Sequence, residues 1–504
     1  MSRSLHVGLV GVVLGMITAP LDGMMLGPAL PVIVGDLGGL EHFSWVVTAY
    51  LVAMATATPI WGKLGDLYGR KRAYLSAILL FLLGSGLSGA AQDMTQLIGF
   101  RAVQGLGGGG LMVGALALIG ELVPPRQSGR LMGLFGTMMP VAFIAGPLLG
   151  GFFVDHLTWR WAFYVNIPVG VAAVLLIAAA VPGAPRRIKA RIDVPGVLLL
   201  TAALVALSLL ASWAGSRYAW MSAPVAALAV VSLAALAAFV AVERRAAEPV
   251  VPLRLYGNRD FTLAQILRLL AGAGMMVFAT FLPQYMQLVK GASATASGML
   301  ILPAMLGMVV VLIGSGQLIS RTGRYRAYPI LGGALLAGGM LVLLALGPGT
   351  GVALTSVLTL LGGAGVGLLM QSTTIVTINS APPRDMGAAS GSVTLWHTMG
   401  ASLGAASLGA LYTNQLQNTL RDRLGVAEAG RILSGGELTA SAVHQLPAAA
   451  QDAVHAAVTS GVHAIALAGA ALGTVAFAFA WLVRETPLRE ERSTPAPVLE
   501  ETHV

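Results

Sequence analysis

Cysteine is absent from the 504 residues, which excludes disulfides, thiol catalysis and thiolate metal sites. Charge is scarce as well. Asp, Glu, Lys and Arg make up 10% of the chain against 56% hydrophobic residues, whereas soluble domains average about 25% charged. With a mean hydropathy of +0.80, the composition is that of an integral membrane protein. Acids at depth are rarer still. Asp22 is the only carboxylate in the middle of a long apolar segment; the others, from Asp36 and Glu41 through Asp66, Asp93, Glu121, Asp155, Asp193 and Asp260 to the C-terminal tail, fall in connections or within a turn of a segment end. No nucleophile–base pair or metal-ligand constellation occurs at spanning depth, so the expectation is a non-enzyme with no metal and no cofactor.

Long apolar runs fill the chain. They recur at 7–34, 43–62, 73–92, 95–123, 129–155, 161–181, 194–213, 223–242, 260–288, 295–319, 327–347, 351–380, 386–414 and 456–483, each about the 20 residues that cross a bilayer. They are continuously apolar rather than alternating, so helices are expected, because lipid demands internally satisfied backbone hydrogen bonds. The expected fold is all-α and multi-pass, with fourteen transmembrane helices. The first run is too long for a signal-peptide core and carries Asp22 and Pro28, so it reads as an uncleaved helix. Alternating the loops puts most of the 30 basic residues on one side and leaves Arg160, Arg217, Lys290, Arg421, Arg423 and Arg431 on the other. That asymmetry puts both termini in the cytoplasm, and the expected location is the inner membrane of a bacterial cell. The net charge of +9 then reflects topology and contact with anionic membrane lipids, not nucleic-acid binding.

The chain also repeats itself. Gly62-Lys63-Leu64-Gly65-Asp66-Leu67-Tyr68-Gly69-Arg70 has a counterpart in Gly316-Gln317-Leu318-Ile319-Ser320-Arg321-Thr322-Gly323-Arg324, and Val123-Pro124-Pro125-Arg126 has one in Ala381-Pro382-Pro383-Arg384. Similar offsets divide the chain into a six-helix bundle over 1–181, an inserted helix pair with a linker over 182–259, a second six-helix bundle over 260–483 and a cytoplasmic tail over 484–504. Parallel halves of this kind build secondary transporters, with the substrate site at their interface near the midplane. The polar connection 415–455 reads as a mobile loop rather than a small cap.

These motifs carry a family resemblance. Gly62 to Arg72 resembles the cytoplasmic loop signature of the major facilitator superfamily, Arg101-Ala102-Val103-Gln104-Gly105-Leu106-Gly107 its fourth-helix motif, and Gly146-Pro147-Leu148-Leu149-Gly150-Gly151 the fifth-helix motif of antiporters. Leu21-Asp22 with Ala29-Leu30-Pro31, the run from Trp159 to Gly170, and Asn258-Arg259-Asp260-Phe261 leading to Leu282-Pro283-Gln284-Tyr285 are similar to the fourteen-helix drug:proton antiporters, commonly called DHA2. The resemblance extends to about residue 414. One departure stands out: where the family's first-helix motif usually has threonine and asparagine, this chain has Met24 and Gly27.

Asp22 and Arg101 are the first candidates. At about 1.5 Å of rise per residue, Asp22 lies roughly 20 Å from the cytoplasmic end of its helix and Arg101 roughly 10 Å from the outer end of the fourth. In a core about 30 Å thick those depths match. Arg101 favours the ionised carboxylate while apolar surroundings favour the neutral acid, so small changes in separation or hydration would switch protonation. The expectation is that Asp22 binds the coupling proton and Arg101 modulates it; a structural ion pair is the competing reading. Gly62, Asp66, Gly69 and Arg70 form an expected conformational latch, Asp66 pairing with Arg70 or sitting at a helix N-terminus; plain positive-inside anchoring would explain the bases alone. Gly146, Pro147, Gly150 and Gly151 offer a smooth, bendable face, for packing or for gating. Gly105, Gly107 and Gly110 spell a dinucleotide fingerprint by chance, because no strand precedes them; Gly105 and Gly109 instead offer a close-packing face.

The expected substrate cavity takes Met24, Met25, Gln104, Gln265, Arg268, Met275, Phe278, Gln284, Gln371, Trp396 and His397. Polar faces inside spanning helices point at cavities, and methionines suit varied apolar shapes. His397 is either a titrating group or a packing residue. The reading is a proton-coupled, monomeric exporter of small, largely apolar compounds, its partners being those substrates, protons and lipids, with Arg268 tilting it toward neutral or anionic substrates. The rivals are export of an endogenous metabolite, lipid or siderophore, and a non-transporting sensor.

Overall fold

A computed structural model describes residues 3–39, 42–122, 141–142, 144–181, 193–214, 218–219, 221–246, 249, 253–347, 349–382, 386–434 and 440–487. The helices are α1 (Arg3–Leu37), α2 (Phe43–Tyr68), α3 (Arg70–Gly89), α4 (Met94–Leu122), α5 (144–156) and α6 (Trp161–Ala180). An inserted pair follows, α7 (Val194–Trp213) and α8 (Ala223–Glu243). The second half contains α9 (Arg259–Leu288), α10 (Ala294–Thr322), α11 (Ala327–Val342), α12 (Val352–Ser380), α13 (Met386–Leu424) and α14 (Ala448–Ala480). Among the described residues, twelve helices are long and apolar enough to cross a membrane. The run at 129–155 lies partly outside the described residues, as do parts of the linker at 182–192 and the tail at 488–504. The α13 helix is continuous, but Gly, Ser and Thr dilute its apolar character.

Local chemistry sets the helix ends. The Asp193 carboxylate accepts from the Gly196 amide at 2.9 Å, the Asn258 side-chain oxygen from the Asp260 amide at 2.9 Å, and the Ser293 hydroxyl from the Ala296 amide at 3.2 Å, all N-terminal caps for otherwise orphaned donors. Between α2 and α3 the chain reverses at Gly69, whose φ of 93° suits glycine. The 415–455 region departs from the expected loop: α13 runs on to Leu424 and is followed by Val426–Ser434 and Ala440–Gln445. Leu416, Leu420, Ala429 and Val443 are buried there, and that apolar spacing holds the segment against α13 and α14. Gly425, at φ 79°, makes the break.

Successive helices alternate in direction, so one face of the molecule collects Arg70, Lys71, Arg72, Arg259, Arg321, Arg324 and Arg484. On this basic face Lys71 donates to the Ala178 and Val181 carbonyls at the end of α6, and the Arg484 amide donates to Asp260 at 3.0 Å. Each half is thus tied within itself. On the opposite face a large buried cluster joins the two halves, running from Leu26, Ile33, Phe43 and Phe163 through Phe278, Phe281 and Tyr285 to Leu416. The basic half of the first bundle has a separate cluster around Tyr50, Tyr74, Phe81 and Ile177. The inserted pair packs by α7 on α2 and α13, with Leu200, Leu204 and Phe239 against Val52, Leu395 and Met399.

Candidate functional site

Asp22 lies at mid-length of α1 and is 2% exposed; Arg101 of α4 is 1% exposed. One guanidinium nitrogen donates to Asp22 Oδ2 at 2.6 Å. The other carboxylate oxygen, Oδ1, accepts from Gln104 Nε2 at 2.9 Å and from Asn166 Nδ2 at 2.8 Å. Asn166, on α6, also donates to the Ser85 hydroxyl at 3.0 Å, which donates in turn to the Phe163 carbonyl at 2.8 Å. Arg101 donates to Gln104 Oε1 at 2.7 Å and to the Val46 carbonyl at 3.3 Å. Its guanidinium carbon sits 4.1 Å from the centre of the Tyr50 ring, a cation–π distance. Donors from α4 and α6 therefore converge on one carboxylate of α1, and both of its oxygens already accept hydrogen bonds from positioned donors.

Gln104 belongs to that network and is fully buried, which corrects its expected place in the substrate cavity: three residues after Arg101, it shares the same helix face. Asn166 and Ser85 were not singled out from the sequence. The signal for Asn166 was an amide inside an apolar run, within the Trp159–Gly170 motif already quoted.

An open cavity lies between the halves, lined by Met16, Ala19, Pro20, Gly23, Met24, Tyr50, Leu51, Met54, Thr58, Gly108, Gly109 and Met112 from the first and by Arg268, Met275, Met276, Met370, Thr394, His397, Thr398 and Ala401 from the second. Tyr50 is common to the cavity wall and the Arg101 contact, so its ring stands between the Arg101 guanidinium and the open space. Of the expected lining residues, Met24, Arg268, Met275 and His397 are there. The others are corrected by their packing. Met25 is fully buried, its backbone packed against Gly150 on α5. Gln265 donates to the Thr377 hydroxyl at 2.9 Å, and Phe278 fills the space beside Gly362. Gln284 is 1% exposed in the cluster that joins the halves, where α9 passes through a π-turn at Val277–Phe281. Gln371 rests on Gly316. Trp396 donates to the Tyr256 hydroxyl at 2.6 Å; burial pushes that hydroxyl above the ordinary tyrosine range, so it stays neutral.

The latch residues are only partly described. The Asp66 side chain lies outside the described residues. Gly62 sits near Val113, Gly69 makes the reversal, and Arg70 donates to the Ala117 carbonyl at 2.7 Å. That bond ties the α2–α3 turn to α4.

On α5, Gly146 and Gly150 abut Met24 and Met25 of α1, while Gly151 abuts Ala294 and Thr295 at the start of α10. A side chain at any of these positions would meet backbone or Cβ atoms. The Pro147 carbonyl in turn lies against Gly298. Asp155, one helical turn beyond Gly151, accepts from the Ala294 amide at 2.9 Å and the Thr295 amide at 2.7 Å, so an acid of the first half caps a helix of the second. Nearby, Gln287 donates to the Pro28 carbonyl at 2.8 Å and to Ser297 at 3.0 Å. The departure at Gly27 has a reason in this seam: it faces the Ala279 carbonyl of the α9 π-turn, leaving no room for the amide side chain of the family pattern.

Two helical halves around a cavity, with apolar spans throughout, define a membrane transporter. The chain belongs to the Major Facilitator Superfamily, whose family model matches residues 12–405. It is 38% identical over 478 residues to an uncharacterized MFS-type transporter of Mycobacterium tuberculosis (strain ATCC 25618 / H37Rv), covering 95% of this chain and 69% of that protein. It is 36% identical over 414 residues to the multidrug transporter protein MdtP of Bacillus subtilis (strain 168), covering 82% and 76% respectively. Among solved structures, a bacterial homolog of the human lysosomal transporter Spinster, in an inward-facing and unoccupied conformation, matches with a TM-score of 0.69 at 15% identity over 96% of this chain and 97% of that one. That likeness concerns the fold.

Proposed function

We propose that this protein is a fourteen-span, proton-coupled antiporter that exports small, largely apolar compounds by alternating access. It works as a monomer in a bacterial inner membrane, with both termini and the basic face in the cytoplasm, and 1–181 rocking against 260–483. Its partners are its substrates, protons and the surrounding lipids. The observation that carries the reading is Asp22: a fully buried carboxylate, held by Arg101, Gln104 and Asn166 and screened by Tyr50 from a methionine-lined cavity. A buried acid at that depth is a proton site by default, and its release depends on movement of helices that also wall the cavity. The names multidrug transporter and efflux pump, borne by relatives, support drug-like cargo.

Proteoliposomes with an imposed pH gradient and a panel of apolar compounds test this. Wild type should accumulate cargo against its gradient. Asp22→Asn should lose at least about tenfold of that driven transport, one missing proton site removing the coupling, yet retain downhill exchange. Undiminished uphill transport by Asp22→Asn would sink the proposal.

A further inference from the structure

The cavity wall is one-sided in charge. Among its described lining residues there is no carboxylate, and Arg268 is the one fully charged side chain. Asp22, the acid closest to this space, is consumed by its own network behind Tyr50. Arg268 is 9% exposed, and its Nη1 donates to the Met370 carbonyl at 2.6 Å and to the Thr374 hydroxyl at 3.3 Å. Both partners are neutral. They fix the direction of the guanidinium without balancing its charge, and its Nε has no partner at all. Across the same cavity, on α13, His397 has an unpartnered buried ring nitrogen, Nδ1. A buried cation without a counter-charge is costly, and an unmade charged hydrogen bond is a recognition element. Around these two groups the wall is soft and apolar, with Met24, Met54, Met112, Met275, Met276 and Met370. Such methionines accommodate varied hydrophobic shapes.

We infer that Arg268 and His397 form the head-group subsite of this cavity, and that it takes amphipathic organic anions: a carboxylate or sulfonate accepting from the Arg268 guanidinium and the His397 ring, with an aromatic or aliphatic body on the methionines. Cations are disfavoured because no acid faces the space. The assignment rests on the transporter reading of the same cavity and narrows it to a substrate class.

The test uses the purified full chain in lipid nanodiscs and two fluorescent probes of nearly equal shape, 8-anilinonaphthalene-1-sulfonate and neutral N-phenyl-1-naphthylamine, with empty nanodiscs subtracted. Wild type should bind the sulfonate tighter than the neutral probe by about tenfold or more, the range of a charged hydrogen bond. Arg268→Gln should abolish that preference while leaving the neutral probe within about twofold, and Arg268→Lys should keep most of it. If Arg268→Gln does not fold, His397→Phe, which keeps the ring volume, serves in its place and should weaken the sulfonate alone. Equal binding of both probes by wild type, or parallel loss of both in the variants, overturns the subsite. Binding is read without transport, so the two proposals fail separately. Discrimination without any driven efflux would leave the subsite standing and remove the antiporter; driven efflux without discrimination would do the reverse.

Discussion

Tyr50 marks the boundary between the Asp22–Arg101 pair and the cavity. Its ring lies 4.1 Å from the Arg101 guanidinium carbon, and its hydroxyl has no partner. The ring's bulk and π-face should therefore matter more than its hydroxyl. Tyr50→Phe is expected to transport within about twofold of wild type, and Tyr50→Ala, which opens Asp22 to the cavity and loses about 1–2 kcal/mol of cation–π contact, to leak protons without substrate. Proteoliposomes carrying an internal pH dye measure both, and a Phe variant as impaired as the Ala variant would show that the hydroxyl matters after all. The pairing of Asp22 with Arg101 was legible in the sequence because helices convert residue counts into depth at a fixed rise. Tyr50 was not, because an aromatic in an apolar run reads as core. Gln104 was seen but misplaced: its polarity was visible, whereas which neighbour it faced depended on the rotation of α4 against α1, which no periodicity fixes. Met25 and Met24 differ in the same way, one fully buried and the other lining the open space.

Where two helices from different halves meet, α5 and α10, an acid closes the seam. Asp155 and its partners Ala294 and Thr295 are separated by 139 and 140 residues, and the sequence presents Asp155 only as an acid at the end of an apolar run. Its geometry is that of an N-terminal cap supplied from outside the helix, which favours negative charge. Caps of this kind contribute about 1 kcal/mol, so Asp155→Ala should shift the balance toward the state open on this face by about fivefold. The shift is readable as faster labelling of Met275→Cys by a membrane-impermeant maleimide applied from that side. Unchanged labelling would remove Asp155 from the closure. Helix α9 illustrates a different limit of sequence reading: its span was legible, but the π-turn at Val277–Phe281 that turns Phe278 and Gln284 into the core has no signature in an apolar run.

At the scale of the molecule, packing is asymmetric between the two faces. The largest cluster joins the halves on the side opposite the basic residues and continues through the second bundle to Ile319, Tyr325 and Val483, while the cavity lies toward the basic side and the first bundle keeps a separate core there. A rigid two-bundle body with one closed seam can expose the cavity to the other side only by exchanging seams, because packed interfaces switch between discrete arrangements rather than deforming smoothly. The absence of cysteine makes this directly measurable, since spin labels can be introduced with no native thiol to remove. His156→Cys with Ser293→Cys reports on the closed seam, both positions being exposed; Tyr68→Cys with Arg324→Cys reports on the basic face. Under a pH gradient with substrate present, the first pair should lengthen as the second shortens, in proportion across conditions. Were the first distance to change while the second stayed fixed, the opening would be a local gate at α5 and α10, and the two halves would not be rocking as bodies.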